Sequence, residues 1–365
     1  MKVLFIVQGE GRGHLTQAIA ASRMLREAGH EVVEVLIGRS PSRQIPAFFY
    51  EQIGAPVESF TSPNFLPAPH GQRPRLVSSV FYNVARLPIY AKSMYFLYRR
   101  ICDAEVDLVL NFYELLTGLT YFFFRPSVVQ VCVGHQFLFL HRGFCFPKVS
   151  RVSMSLLKLF TQVAGFGAER RLALSFRPMA DDEVNGVFVV PPLLRREVFA
   201  EQPTTGSYLH GYMLNAGFSA SVEAWHRRHP EVKLHFFRDN GGDEQVDSTL
   251  TFHSIDDRKF LRSLAGCRAY VSTAGFESVC EAMYLGKPML LVPAHIEQEC
   301  NAYDAMRGGA VIVAEDFNPD ALLQLKGANR RNPDFVRWVD SARSCFLAQL
   351  EAALPVRHPR GMALA

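Results

Sequence analysis

Val3 to Val7 are five consecutive apolar residues. The loop Gln8-Gly9-Glu10-Gly11-Arg12-Gly13-His14 follows at once, and then a stretch, Leu15 to Gly29, whose apolar positions recur at helical spacing and stop at a glycine. The pattern predicts a strand, a glycine loop and a helix. A second run, Glu31 to Ile37, comes directly afterwards, which is the grammar of a parallel sheet with helices on its faces. Short apolar runs at Val106 to Asn111 and Ser127 to Val133 repeat it. In the second half, residues 207–217, 232–240, 267–275 and 287–293 again read as strands separated by helical segments. The fold class is therefore α/β, with two doubly wound halves. A strand-like run meets Pro191, Pro192, Arg195 and Arg196 before a polar, breaker-rich segment, which marks the boundary. The expected division is a first domain over 1–194, a linker over 195–205, a second domain over 206–350 and a frayed tail over 351–365. Phe335 to Leu350 reads as the last helix.

Composition narrows the class. With 365 residues, 48% hydrophobic and 20% charged, the chain is neither disordered nor of low complexity. The net charge of +4 conceals an asymmetry: 22 basic against 14 acidic residues through Arg196, and 17 against 21 from Glu197 onward. The two halves are expected to meet different partners. Seven scattered cysteines form no C-x-x-C pair or Cys/His cluster, so neither a disulfide framework nor a structural zinc site is indicated, and a reducing cytoplasm fits. The first apolar run is too short for a signal-peptide core, and Glu114, Arg125 and Arg142 interrupt the most hydrophobic region. No stretch reaches the roughly 20 apolar residues of a spanning helix.

The first glycine loop sits where a strand turns into a helix, so backbone N–H groups and a positive helix end face any ligand there. A dinucleotide site would place a third glycine where His14 stands and a carboxylate at the end of the second strand, where Ile37-Gly38-Arg39 is found. NAD is disfavoured, and only NADP, through Arg39, keeps a foothold. The competing reading makes His14 a general base, neutral because it lies at a helix N-terminus. A plain structural reading has His14 capping the helix.

The strongest chemistry lies between Ser272 and Ala302. Thr273-Ala274-Gly275-Phe276-Glu277-Ser278 carries a strand into a helix, so the free N–H groups of Gly275 to Ser278 can hold a diphosphate. Glu281, one turn beyond Glu277, can accept hydrogen bonds from a ribose diol. Glu297 and Gln298 offer an acceptor and a donor to sugar hydroxyls.

This segment resembles the donor-binding region of inverting GT-B glycosyltransferases, nucleotide-sugar enzymes built from two Rossmann-like domains facing a cleft. The elements of that likeness are the small-residue turn at Gly275 to Ser278, the Glu281-Ala282 pair, Gly286-Lys287-Pro288, and Pro293 to Gln298. Gly9-x-Gly11-x-Gly13-His14 is similar to the glycine-histidine loop of the peptidoglycan-forming N-acetylglucosaminyltransferase and of plant and antibiotic glycosyltransferases. Pro191 to Arg195 is similar to the N-P-x-R linker of the former, with Pro191 in place of Asn. The resemblance implies an acceptor-side loop at Gly11, Arg12, Gly13 and Gln136, phosphate contacts at Gly217 and Ser219, and base recognition near Phe252 and His253. For the loop at Gly217 and for Phe252 and His253, ordinary strand-end packing is an equal alternative.

Retaining members of the fold carry a glutamate eight residues before the E-A pair, where this chain has Thr273, so inversion is implied. Inversion needs a base for direct displacement at the anomeric carbon. His14 is the first candidate, with Glu114 and His135 as rivals or helpers. The chain has no D-x-D sequence, so no metal and no cofactor are expected; helix N–H groups would stabilise the leaving group.

The acceptor side is basic and aromatic. From Arg73 to Arg177 there are 14 Lys and Arg against five acids, and no acid between Glu114 and Glu169. Val80 to Arg100 and Val149 to Phe160 alternate large apolar groups with cations, which fits a lipid-linked acceptor and an anionic membrane surface. Two core-packed helices with solvated cations are the alternative. No nucleic-acid signature accompanies the charge. The expected activity is transfer of a sugar from a UDP-linked donor to a small-molecule or lipid-linked hydroxyl acceptor, in the cytoplasm or at the inner membrane face. Two other readings are a nucleotide-sugar 2-epimerase, for which Val279 stands where an acid is needed, and a noncatalytic nucleotide or lipid binder.

Overall fold

A computed structural model describes residues 1–64, 81–213, 218–238, 242–308, 311–325 and 331–355. The first half comprises β1 (Lys2–Gln8), α1 (Arg12–Glu27), β2 (Glu31–Arg39), α2 (Ala47–Ile53), β3 (Val57–Thr61), α3 (Leu87–Asp103), β4 (Leu108–Phe112), α4 (Leu115–Phe124), β5 (Val129–Val133), α5 (Arg151–Ala164), β6 (Ala168–Leu174) and β7 (Val187–Val190). A short helix, α6 (Arg196–Ala200), leads to β8 (Tyr208–Met213), α7 (Ser219–His226), β9 (Lys233–Arg238), β10 (Glu244–Gln245), β11 (Leu250–Ser254), α8 (Asp257–Gly266) and β12 (Ala269–Ser272). The chain continues through α9 (Phe276–Tyr284), β13 (Met289–Leu291), α10 (Ile296–Met306), β14 (Val311–Val313), α11 (Asp320–Gln324), α12 (Pro333–Asp340) and α13 (Ala342–Glu351).

Two seven-stranded sheets result, in the orders β3-β2-β1-β4-β5-β6-β7 and β10-β11-β9-β8-β12-β13-β14. Among the described residues every pairing between strands is parallel except β10 with β11, and an isolated antiparallel bridge joins Asp182 to Val187. Central strands of such sheets are covered by helices on both faces, which is why Val3 to Val7 are wholly buried and show no polar alternation. Chain direction across the sheets reverses between β1 and β4 and between β8 and β12, and ligands of open parallel sheets bind beyond the strand ends at such points. The loops there are Gly9 to Gly11 and Tyr113–Glu114 in the first half, and Thr273 to Gly275 in the second.

Gly9 owes its identity to packing. A Cβ there would lie 2.6 Å from Ile37 Cγ2 and 2.9 Å from the Gly38 carbonyl oxygen. Its N–H donates to that same oxygen at 2.7 Å, closing the end of β1 onto β2.

One apolar cluster runs through both halves, from Val3 and Leu15 to Phe276, Phe335 and Phe346. The C-terminal helices return to the first half: Trp338 Nε1 donates to the Ser175 carbonyl at 2.9 Å and Arg170 Nη1 to Gln349 Oε1 at 2.6 Å. The single helix expected over Phe335 to Leu350 is two. Ser341 Oγ donates to the Trp338 carbonyl at 2.7 Å, and this local bond competes with the helical ladder where α12 gives way to α13. Among the described residues no helix is long and apolar enough to cross a membrane.

Candidate active site

Helix α1 starts with Gly11 as its N-cap in extended conformation, so His14 occupies the third helical position, in the first turn. No side chain caps this helix, which removes the capping reading of His14. The imidazole is 9% exposed and stacks on Tyr113, with ring centroids 5.6 Å apart and planes 25° from parallel. Its Nδ1 lies 3.3 Å from Gln17 Oε1. Burial pushes its pKa below the ordinary 6.5, against the pull of Glu297 and Gln17, so the ring is neutral at neutral pH. Arg12, beside it, reaches Asp257 across the halves at 3.4 Å.

Tyr113 follows β4 with φ of 59°, in the left-handed region, and its hydroxyl is 2.8 Å from Thr161 Oγ1. A non-glycine residue held in that conformation is over-determined by its surroundings, here Phe137, Phe160 and His14 around its ring. Glu114, next in sequence, is the N-cap of α4 and is completely buried. It accepts from Leu116 N–H at 3.1 Å and Ser62 Oγ at 2.5 Å, while Oε2 has no partner. Burial pushes its pKa up to about 7. It turns toward Ser62 and Gly38, whereas His14 leans over Tyr113 toward the second half. His135 is also buried, flat against Phe276 at 4.1 Å, with Nδ1 donating to the Leu174 carbonyl at 2.7 Å. Sequence reasoning put all three facing one cleft; the structure sets His14 and His135 at the contact between the halves, both buried, and Glu114 inside the first half beside Ser62 and Gly38.

In the second half Ser272 closes β12, Ala274 takes φ of 67°, and Gly275 is the N-cap of α9 without any side-chain cap. Asn301 Nδ2 holds the strained turn by donating to the Ala274 carbonyl at 3.1 Å. The first-turn N–H groups of α9 have no intrahelical acceptors, and the buried Ser272 Oγ and Asn301 Oδ1 have no partner. Glu277, in that turn, accepts from Gln17 Nε2 at 2.6 Å; its Oε2 is unpartnered and burial pushes its pKa up to about 8. A Cβ on Gly13 would lie 3.4 Å from Glu277 Cγ, so the third glycine of the first loop brings α1 against α9.

Other expected donor contacts are engaged within the protein. Glu281 is gripped by Arg195. Glu297 accepts from Gln136 Nε2 at 2.9 Å, joining the halves again. Gln298 accepts from Ala294 N–H at 2.9 Å and donates to Thr273 Oγ1 at 3.5 Å, so it braces the loop. Ser278 Oγ donates to the Gly275 carbonyl at 3.2 Å. Phe276 packs on Phe176 as well as His135. Phe252 lies inside β11 with its ring in the second core, and His253 is 3.0 Å from His235 Nδ1. The buried Ser219 Oγ is unpartnered, and Gly217 lies outside the described residues.

Sequence reasoning missed Gln17, although it stands three residues after His14 and so on the same helix face. It also gave no contact role to Arg195 or Tyr113. Among the described residues no group of three or more His, Cys, Asp or Glu is arranged to hold a metal ion.

No curated protein matches the sequence. Among solved structures the chain is similar to CalG4, the calicheamicin glycosyltransferase, at 16% identity and a TM-score of 0.61, with 98% of this chain and 99% of that one covered. Phytolacca americana UGT2, solved with UDP-2fluoro-glucose and pterostilbene, gives 13% identity, a TM-score of 0.60 and coverage of 96% and 94%. Acinetobacter baumannii MurG gives 15%, 0.55, 96% and 99%. At these identities the likeness concerns the fold, which is GT-B. The model of glycosyl transferase family 1 matches residues 1–326, nearly the whole length, and the chain belongs to that family of glycosyltransferases.

Proposed function

We propose that this glycosyltransferase uses a nucleotide-sugar, UDP-linked, and transfers the sugar to a hydroxyl acceptor with inversion and without a metal. The observation that carries the reading is the bridge from His14 through Gln17 to Glu277: the base candidate and the uncapped N-terminus of α9 meet at one interface. Family membership and the UDP-sugar analogue held by the Phytolacca neighbour support a nucleotide-sugar donor.

The acceptor hydroxyl gives its proton to the neutral imidazole of His14 while its oxygen attacks the anomeric carbon from the face opposite the diphosphate. The bond from that carbon to the phosphate oxygen breaks, and the charge that develops on the leaving diphosphate is met by the α9 N–H groups. Glu281 takes the ribose. The proton on His14 is then released to solvent. Val279, buried in the core, leaves no acid for the epimerase alternative.

For the acceptor we propose a lipid-linked molecule at an anionic membrane surface. Val152, Leu156 and Leu159 are exposed on α5 and Phe122 and Phe123 on α4, and Lys92, Arg125, Lys148 and Arg151 are exposed residues of the same half.

A thermal-shift panel of UDP-glucose, UDP-N-acetylglucosamine and UDP tests the donor. A nucleotide at 100 times its dissociation constant stabilises by about 2.7 kcal/mol. Release of UDP from the stabilising sugar nucleotide by wild type, lost in His14→Ala, is the expected result. No shift with any of them, or full turnover by His14→Ala, rejects the reading.

A further inference from the structure

Gln17 is 2% exposed and sits one turn beyond His14 on α1. Its amide has two orientations that differ by a flip, and its neighbours choose between them. Glu277 Oε1 is 2.6 Å from Nε2. Oε1 accepts that N–H both as a carboxylate and as a carboxylic acid with its proton on the unpartnered Oε2, and in either state the flipped amide would set oxygen against oxygen. The amide oxygen is thereby turned to His14 Nδ1, at 3.3 Å. An oxygen can be approached only by the protonated nitrogen of a neutral imidazole, so Nδ1 carries the hydrogen and Nε2 keeps its lone pair. The stack on Tyr113 holds the ring plane while this happens.

We propose that Gln17 is a positioning residue that sets His14 in its Nδ1–H tautomer, and that Glu277, 260 residues away on the opposite half, supplies the constraint. The base is then correctly set only while α1 and α9 are in contact. Parted from Glu277, the amide is free to flip and present N–H to Nδ1, which moves the imidazole hydrogen to Nε2 and removes the lone pair that would take the acceptor proton. Contact between the halves and readiness of the base become one event, which protects the donor from attack in an open form. This rests on the reading of His14 as the base.

The test uses the full chain with 15N-labelled histidine and long-range proton–nitrogen correlation spectra, the His14 signals being identified by their loss in His14→Ala. Wild type is expected to show a protonated Nδ1 and a bare Nε2. Gln17→Leu, with Gln17→Met as a second variant of similar volume, should move His14 toward Nε2–H; Glu277→Ala should do the same with Gln17 intact. In UDP release from UDP-glucose or UDP-N-acetylglucosamine, Gln17→Leu should lower kcat by about ten- to a hundredfold, the direction seen whenever the partner that sets a catalytic histidine's tautomer is lost, with the donor KM within about twofold. A bare Nδ1 in wild type, or a tautomer unmoved by both Gln17 variants, overturns the proposal. If His14→Ala is inactive and the Gln17 variants keep wild-type kcat and tautomer, the relay alone is wrong. Full turnover by His14→Ala with the tautomer as expected rejects the base reading instead.

Discussion

Arg195 holds both carboxylate oxygens of Glu281, Nε to Oε1 at 2.6 Å and Nη2 to Oε2 at 3.0 Å. The glutamate is 2% exposed and comes from α9; the arginine comes from the segment between the two sheets. Asp257 lies 3.5 Å from Arg195 and also pairs with Arg12. A line of charges therefore runs from the first turn of α1 to the middle of α9. A ribose diol would have to share Glu281 with Arg195, using the lone pairs that a bidentate guanidinium leaves open.

Removing one partner of such a pair strands the other. Glu281→Ala should lower stability to denaturant by about 3–5 kcal/mol, and the double variant Arg195→Met/Glu281→Met should recover most of it. Neither variant should retain the thermal shift that wild type shows with a UDP-sugar. Undiminished UDP-sugar stabilisation of the refolded double variant would exclude Glu281 as the ribose contact.

Glu114 and Glu277 make stability depend on pH in an unusual direction. Between the ordinary carboxyl value of 4.5 and about 7, folded Glu114 keeps a proton that the unfolded chain has released, and Glu277 does so up to about 8. Their stabilising effect is complete below pH 4.5 and is lost as pH rises through those values. Glu114→Gln should flatten the part of this decline that ends near pH 7 and raise stability at pH 8, by at most about 3 kcal/mol. Urea unfolding midpoints at pH 5 and pH 8 measure it; an equal decline in the variant refutes it.

Burial holds His14 below 6.5, so kcat/KM should climb to a plateau with its acid limb below pH 6.5. Glu114, were it the base, would instead place that acid limb near pH 7, its raised value. The pH–rate profile of UDP release distinguishes them.

The outer stripe of α5 should govern lipid binding without touching the donor. Leu156→Asp with Leu159→Asp should weaken sedimentation with phosphatidylserine-containing vesicles by about tenfold or more and leave the UDP-sugar thermal shift unchanged. Wild type that sediments no better with phosphatidylserine than with phosphatidylcholine alone removes the anionic-surface reading.

What depended on neighbours in sequence was legible. Val3 to Val7, the glycine loop and the turn at Thr273 to Gly275 could be assigned from the chain because strand burial, helix capping and strand-to-helix turns arise within a dozen residues. The same locality misled over Phe335 to Leu350, where helical spacing continues through Ser341 although the Ser341 hydroxyl takes the Trp338 carbonyl at the break between the two helices. It also left open the faces of α3 and α5: Tyr90, Leu97 and Ile101 turn inward while Val152, Leu156 and Leu159 turn out, a choice made by the elements packed against them.

By itself the sequence determined the α/β class, two doubly wound halves, the glycine-bordered His14 and the small-residue entrance to α9. Tertiary structure alone decided which of these touch. Gln17 and Glu277, Arg195 and Glu281, and Gln136 and Glu297 are 260, 86 and 161 residues apart, and hydrogen bonds between them exist only because two separately patterned halves pack face to face. A periodic pattern tells each half which side to bury; it holds no information about which polar atom on one buried side will find its partner on the other.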